Sequence, residues 1–211
     1  MIYEIKTKEF TAKTFYPEKQ YTASDITDIY VDGGLLGSNL KDIGCPDGGT
    51  FACVCLSGET EILRLSGIVL PGKKPGVTNN DSELVAAQVG LSMTPYGWSG
   101  TLHSDSLCTI RRLAWFQTMY TQEDPVELFR AKSKIDKLAQ EIGNDLVLVI
   151  MGAVGNRVGF TMRHLDGHPS PLELEMGIGK RGNPVSIHNK TCDEMATKEK
   201  IRWQKNKNPR P

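Results

Sequence analysis

The stretch Thr78-Asn79-Asn80-Asp81-Ser82-Glu83-Leu84, followed by Val85-Ala86-Ala87, reads as the start of a helix. Asn or Asp ahead of an apolar-periodic run is a helix-start signal. Leu84, Ala87 and Leu91 then recur at helical spacing. A helix that opens Asn-Asn-Asp-Ser with Glu83 in its first turn is ordinary capping chemistry when it stands alone. Here two further acids flank it. Asp32 lies upstream in Tyr30-Val31-Asp32-Gly33-Gly34, and Asp105 downstream in His103-Ser104-Asp105-Ser106. Both read as carboxylates at strand ends.

Working outward, residues 28–32 form a short apolar strand that ends in an acid, and Gly33, Gly34 and Gly37 ask for a tight turn. Residues 50–56 and 60–70 read as second and third strands joined by Ser57-Gly58-Glu59. Links this short imply antiparallel pairing. After the helix 81–92 come a fourth strand at 100–104, a helix at 107–118 and a long amphipathic helix at 125–142, opened by Pro125 and closed by Gly143-Asn144. Residues 145–151 (Asp-Leu-Val-Leu-Val-Ile-Met) read as the most hydrophobic strand. In 152–182 glycines are frequent, and Leu172, Leu174 and Met176 alternate with Glu173 and Glu175, which suggests an inserted β arm. A last helix begins near Lys190. The expected architecture is α/β: a mixed five-stranded sheet, three antiparallel strands and then parallel ones, with helices on both faces. The expected domains are an N-terminal extension (1–25), a catalytic domain (26–198) and a basic flexible tail (199–211).

The chain has 211 residues, 39% of them hydrophobic, enough for a full core. Lys and Arg number 25, as do Asp and Glu, so nucleic-acid binding would need a local basic face. No apolar run approaches the roughly 20 residues that span a bilayer, so a membrane partner is not expected. Five cysteines form no CxxC pair, which speaks against zinc and a disulfide framework; a reducing cytoplasm is the expected compartment.

Four carboxylates are candidates for chemistry: Asp32, Glu83, Asp105 and Asp193. With the first and fourth strands side by side, Asp32 and Asp105 become neighbours, and the helix carrying Glu83 can cross nearby. Acids that close cannot all stay ionised without compensating charge. Hard divalent cations supply it, and Mg²⁺ prefers carboxylate and water oxygens. Two such ions about 4 Å apart serve in-line phosphoryl transfer. Each acid also has an ordinary explanation: a turn cap for Asp32, the helix dipole for Glu83, an N-cap for Asp105 and a solvated helix face for Asp193.

In four motifs the chain resembles a type 1 ribonuclease H of the ribonuclease H-like superfamily. They are Val31-Asp32-Gly33-Gly34, Thr78-Asn79-Asn80-Asp81-Ser82-Glu83-Leu84-Val85-Ala86-Ala87, Ser104-Asp105-Ser106, and Asn189-Lys190-Thr191-Cys192-Asp193-Glu194-Met195-Ala196. They fall in the family's order. The resemblance implies endonucleolytic hydrolysis of the RNA strand of an RNA–DNA hybrid, leaving 5′-phosphate and 3′-hydroxyl ends. It implies that Asp32, Glu83, Asp105 and Asp193 hold two Mg²⁺ ions, with Mn²⁺ able to substitute. Asp32 would bridge the two, with Asp193 on the attacking-water side and Glu83 on the leaving-group side. Gly33, Asn79 and Asn80 would read the minor groove and its 2′-hydroxyls, and Thr78 would meet a DNA-strand phosphate. Ser106 and Asn189 complete the implied substrate-binding set. The family's mobile histidine is replaced by Asn183; His188 and His168 are the substitutes on offer for product release. Arg111-Arg112, or Arg130, Lys132, Lys134 and Lys137, stand in for the family's basic handle. Rival functions are a DNA-directed nuclease of resolvase or transposase type and a non-catalytic nucleic-acid-binding module.

Overall fold

Ile29 and Val31 are fully buried, while Asp28 and Tyr30 between them keep some exposure. That two-residue period belongs to a strand with unlike surroundings on its two faces. This strand, β3 (Asp28–Leu35), lies inside a seven-stranded sheet. The structure, a computed structural model, describes residues 2–6, 10–15, 23–41, 43–71 and 75–207. A hairpin of β1 (Ile2–Lys6) and β2 (Phe10–Phe15) forms one edge. β4 (Gly49–Ser57), β5 (Thr60–Pro71), β6 (Thr101–Ser104) and β7 (Thr161–His164) complete the order β1-β2-β5-β4-β3-β6-β7. β3, β4 and β5 pair antiparallel, whereas β6 runs parallel to β3 and β7 parallel to β6. The expected five-stranded mixed sheet is therefore present, and the N-terminal hairpin widens it by pairing β2 with β5.

β4 is buried along all but its last residue, which accounts for its unbroken apolar run. One face of the sheet is covered by α1 (Asn79–Ser92), α2 (Leu107–Thr121), α3 (Pro125–Ile142) and α4 (Asn144–Gly155), whose Leu84, Leu113, Phe116, Leu138, Ile142 and Ile150 share a core with Ile29, Val31 and Phe51. Each large apolar side chain so buried contributes about 1.5–3 kcal/mol. α1 is buried on every side from Asp81 to Leu91, so its sequence is apolar all round rather than striped. The other face carries α6 (Ile187–Lys207), where Cys192 and Ala196 pack on Ala52, Val54 and Leu56, with Tyr30 and Met195 against them.

Three expectations need correction. Residues 145–151 are helical, within α4; Leu146, Val147, Ile150, Ala153 and Val154 are its buried residues, and Leu148 is 64% exposed. That is a 3.6-residue period continuing past the end of the presumed strand. The fifth strand is instead β7, short and only half-buried. Second, no β arm occupies 152–182. The segment holds the end of α4, β7 and the short helix α5 (Pro171–Met176), where the alternating Leu and Glu residues lie; Ser170 and Glu173 cap it reciprocally. Third, residues 199–207 continue α6 rather than forming a loose tail. Residues 208–211 lie outside the described residues, as do Met1, 7–9 and 16–22 of the N-terminal extension.

Candidate active site

Parallel pairing in the register Asp28↔Thr101, Ile29↔Leu102 and Tyr30↔His103 brings the C-terminal ends of β3 and β6 together. Asp32 and Asp105 follow those paired residues. Glu83 comes to the same point on α1, one turn past the Thr78 N-cap; Thr78 Oγ1 accepts from Asp81 N at 3.2 Å and Asp81 Oδ2 accepts from Thr78 N at 3.0 Å. Gly33 makes the approach possible. A Cβ there would lie 2.4 Å from Glu83 N and 2.5 Å from the Ser82 carbonyl carbon, so β3 and α1 could not close with any other residue.

One carboxylate oxygen from each of Asp32, Glu83 and Asp105 lies within 4.8 Å of the others. Asp32 is 6% exposed and Glu83 4%. Burial, then the charges of Asp105 and Asp193, push the Asp32 carboxyl up to about 7, against the hydrogen bond from Gly33 N at 2.8 Å. Burial and the adjoining Asp32 and Asp105 push Glu83 well above the usual carboxylate range. Glu83 Oε2 is buried and accepts no hydrogen bond. An all-oxygen, acid-rich pocket with an unsatisfied oxygen fits a hard divalent cation, and fits neither zinc in a sulfur or imidazole cage nor copper.

Asp193 does not join that tight group. It stands on α6, its carboxylate about 39% exposed, 3.4 Å from His168 Nδ1, and its charge is felt at Asp32. Two bonds seat its helix: Cys192 Sγ to Tyr30 O at 3.3 Å, and Asn189 Nδ2 to Asp105 Oδ2 at 3.3 Å. Asn189 is 1% exposed, with its own Oδ1 unpartnered.

The remaining expected residues divide. Asn79 and Asn80 are exposed at the start of α1, on the same helix end as Glu83. Ser106 caps α2, its Oγ accepting from Thr109 N at 3.2 Å. His188 packs on the Tyr30 ring at 5.1 Å. His168 stands at Asp193, exposed and with φ 50° between Gly167 and Pro169. Two contributors have no sequence signal outside their setting. Gly167 lies against Asp105, where a Cβ would come within 2.1 Å of Oδ2, and His164 Nε2 is 3.1 Å from Asp105 O.

Beside the α1 N-terminus is a cleft of about 480 Å³ lined by Thr78, Asn80, Asp81, Lys41 and Arg112, among others. Arg112 is 9% exposed; its Nη2 donates to Glu141 Oε2 at 3.2 Å, and its Nη1 is buried without an acceptor.

Three antiparallel strands followed by two parallel ones, in the order β5-β4-β3-β6-β7, with α1–α4 on one face and α6 on the other, decide the architecture. The fold is ribonuclease H-like. No family model matches the sequence, and no curated protein matches it either. Solved structures with this fold include RNase H1 from the halophilic archaeon Halobacterium salinarum (14% identity, TM-score 0.45, 83% of this chain and 97% of that one). LC11-RNase H1, isolated from compost by a metagenomic approach, has 16% identity and a TM-score of 0.44 over 85% of this chain and 99% of that one. The same LC11 protein in complex with an RNA/DNA hybrid has 15% identity and a TM-score of 0.42 over 84% and 98%. At TM-scores below 0.5 these likenesses carry no argument; the architecture rests on the strand order and the chemistry on the residues of the site.

Proposed function

We propose that the protein is a divalent-metal-dependent ribonuclease H that cuts the RNA strand of RNA–DNA hybrids, leaving 5′-phosphate and 3′-hydroxyl ends. The observation that carries this is the convergence of Asp32, Glu83 and Asp105 within 4.8 Å, with Glu83 Oε2 buried and unsatisfied. Asp32, Glu83 and Asp105 would hold Mg²⁺, with Asp193 completing a second position from α6. The bound ions would activate an attacking water and offset charge on the leaving oxygen. The chain's own residues do the rest. Asn189 holds Asp105 in its rotamer, and the tight β3–α1 contact at Gly33 holds Asp32 against Glu83. Asn79 and Asn80 are free to reach 2′-hydroxyls in a minor groove, the group that separates RNA from DNA. Thr78 and Arg112 line a cleft suited to a phosphate of the opposite strand. His168, 3.4 Å from Asp193, would assist departure of the product where the family uses its mobile histidine.

The test is Mg²⁺-dependent cleavage of an end-labelled hybrid by the wild type and by Glu83→Gln, with duplex and branched DNA as competing substrates. Cleavage of the hybrid alone, abolished in Glu83→Gln, is the expected result. Cleavage of DNA instead would replace the proposal with the DNA-directed rival, and no cleavage with intact hybrid binding would leave a binding module.

A further inference from the structure

A buried carboxylate outside the acid cluster holds an exposed turn. Asp166, 4% exposed, accepts from Arg181 N at 2.8 Å and from Asn183 Nδ2 at 2.7 Å, and Arg181 Nε stands 3.8 Å from it. Glu173, 8% exposed, accepts from Ser170 N at 2.8 Å and from Ser170 Oγ at 2.6 Å; those bonds, and after them the nearby Lys180 charge, lower its carboxyl below the usual range. The turn is thus fastened to Asp166 through the Arg181 N–H and the Asn183 side-chain amide. The turn also closes on itself, Gly179 N to Asn183 O at 2.9 Å and Gly182 N to Gly179 O at 3.0 Å, and Asp166 N binds Pro184 O at 2.9 Å. Burying a carboxylate is costly unless it is fully hydrogen-bonded, and Asp166 here fixes the backbone of an otherwise superficial loop. What the loop displays is a pair of consecutive cations: Lys180 is exposed and the Arg181 side chain is 73% exposed.

The position of the turn gives those cations a use. Leu165 N binds Ser104 O at 3.0 Å, Gly167 lies on Asp105, and His168 meets Asp193, so the segment pinned by Asp166 borders the acid cluster on the α6 side. Three or four carboxylates repel an approaching phosphodiester chain. Cations carried beside them on an anchored backbone offset that repulsion and leave only their side chains to order on binding. We propose that Lys180 and Arg181 form a preformed clamp for backbone phosphates of the nucleic-acid strand that lies over Asp105 and Asp193. The clamp deepens the hydrolase reading, and takes from it only which strand is held.

The test is fluorescence anisotropy with a labelled RNA–DNA hybrid, using the full chain in Ca²⁺ at a series of KCl concentrations from about 50 to 200 mM. The Lys180→Ala/Arg181→Ala variant changes only exposed side chains and leaves the backbone anchors in place. Its affinity at low salt is expected to fall roughly tenfold, and its slope of log K against log salt to become shallower by about one to two. Asp166→Ala, which frees the turn while keeping both cations, is expected to weaken binding in the same direction. Unchanged affinity and slope in the double variant overturn the clamp, and so does a weakened affinity with an unchanged slope. Cleavage by the wild type in Mg²⁺ separates the two proposals: binding with the expected slope change but no cleavage sinks the hydrolase alone, and cleavage with unaltered variant binding sinks the clamp alone.

Discussion

Asp32 and Glu83 are buried against each other and against Asp105, and stability must respond to their ionisation. Asp32 takes its proton at about 7 in the folded chain and at 3.8 as a free side chain. Between those values the folded state binds more protons than the unfolded one, so metal-free stability falls as pH rises through that window and stays low above it. Asp32→Asn removes the charge altogether. In EDTA at pH 8 the variant is expected to be more stable than wild type by about 2–4 kcal/mol, with the gap narrowing to about a third by pH 5 and closing below about pH 4; thermal unfolding at the three pH values measures it. Its cleavage activity should be absent. A variant that cuts at near wild-type rate would remove Asp32 from the chemistry. Gly167 supplies the opposite kind of test. Gly167→Ala leaves charge unchanged but drives a methyl to within 2.1 Å of Asp105 Oδ2. We expect at least a hundredfold loss in kcat/KM with Tm lowered by only a few degrees, since the residue sits in a surface loop rather than the core. Equal losses in an Asp105-independent property, such as hybrid affinity in Ca²⁺, would show that the loop as a whole had moved.

At the scale of elements, α1 serves two purposes at once. Its first residues, Asn79 and Asn80, are exposed, and Glu83 one turn on is buried. Asn80→Ala is expected to reduce the preference for hybrid over duplex DNA more than it slows cleavage, measured as the ratio of kcat/KM on the two substrates; equal losses would contradict a role in reading 2′-hydroxyls. The start of this helix was plain in the sequence because capping residues and apolar period coincide, although the cap proved to be Thr78 boxed with Asp81 rather than an Asn. β3, β4 and β5 were equally plain, with short turns between apolar runs. α4 was not. An apolar run such as Leu146–Met151 has no polar gaps to reveal its period, and only Ala153 and Val154, beyond its end, betray the helix. β7 was hidden for the converse reason. Thr161-Met162-Arg163-His164 is too short and polar to register as a strand, and is one because β6 offers it a parallel edge. Of the site, the acids at strand and helix ends could be read from their motifs. Gly167 and His164 could not, because their part depends on contacts to Asp105 across stretches of chain that only the fold brings together.

Considered as a whole, the molecule assembles its acids from β3, α1, the end of β6 and α6, so the pocket exists only when the sheet is closed by helices on both faces. A cation bound there must therefore bind the folded chain and scarcely the unfolded one. Linkage then sets the size of the effect: a ligand at a hundred times its Kd stabilises by about 2.7 kcal/mol, which for a chain of this length is a rise in Tm of roughly 5–10 °C. The expected outcome is that Tm climbs with Mg²⁺ concentration at pH 8 and climbs less at pH 5.5, where protons compete for Asp32 and Glu83. In Glu83→Gln the dependence should be lost at both pH values while the metal-free Tm at pH 8 rises, because one member of a repelling set has gone. Differential scanning fluorimetry over a Mg²⁺ series, with Na⁺ at matched ionic strength as the control, measures all of this in one experiment. A wild-type Tm that follows ionic strength and ignores the valence of the cation would mean that the acids face one another without a metal between them, and the hydrolase proposal would lose its chemistry.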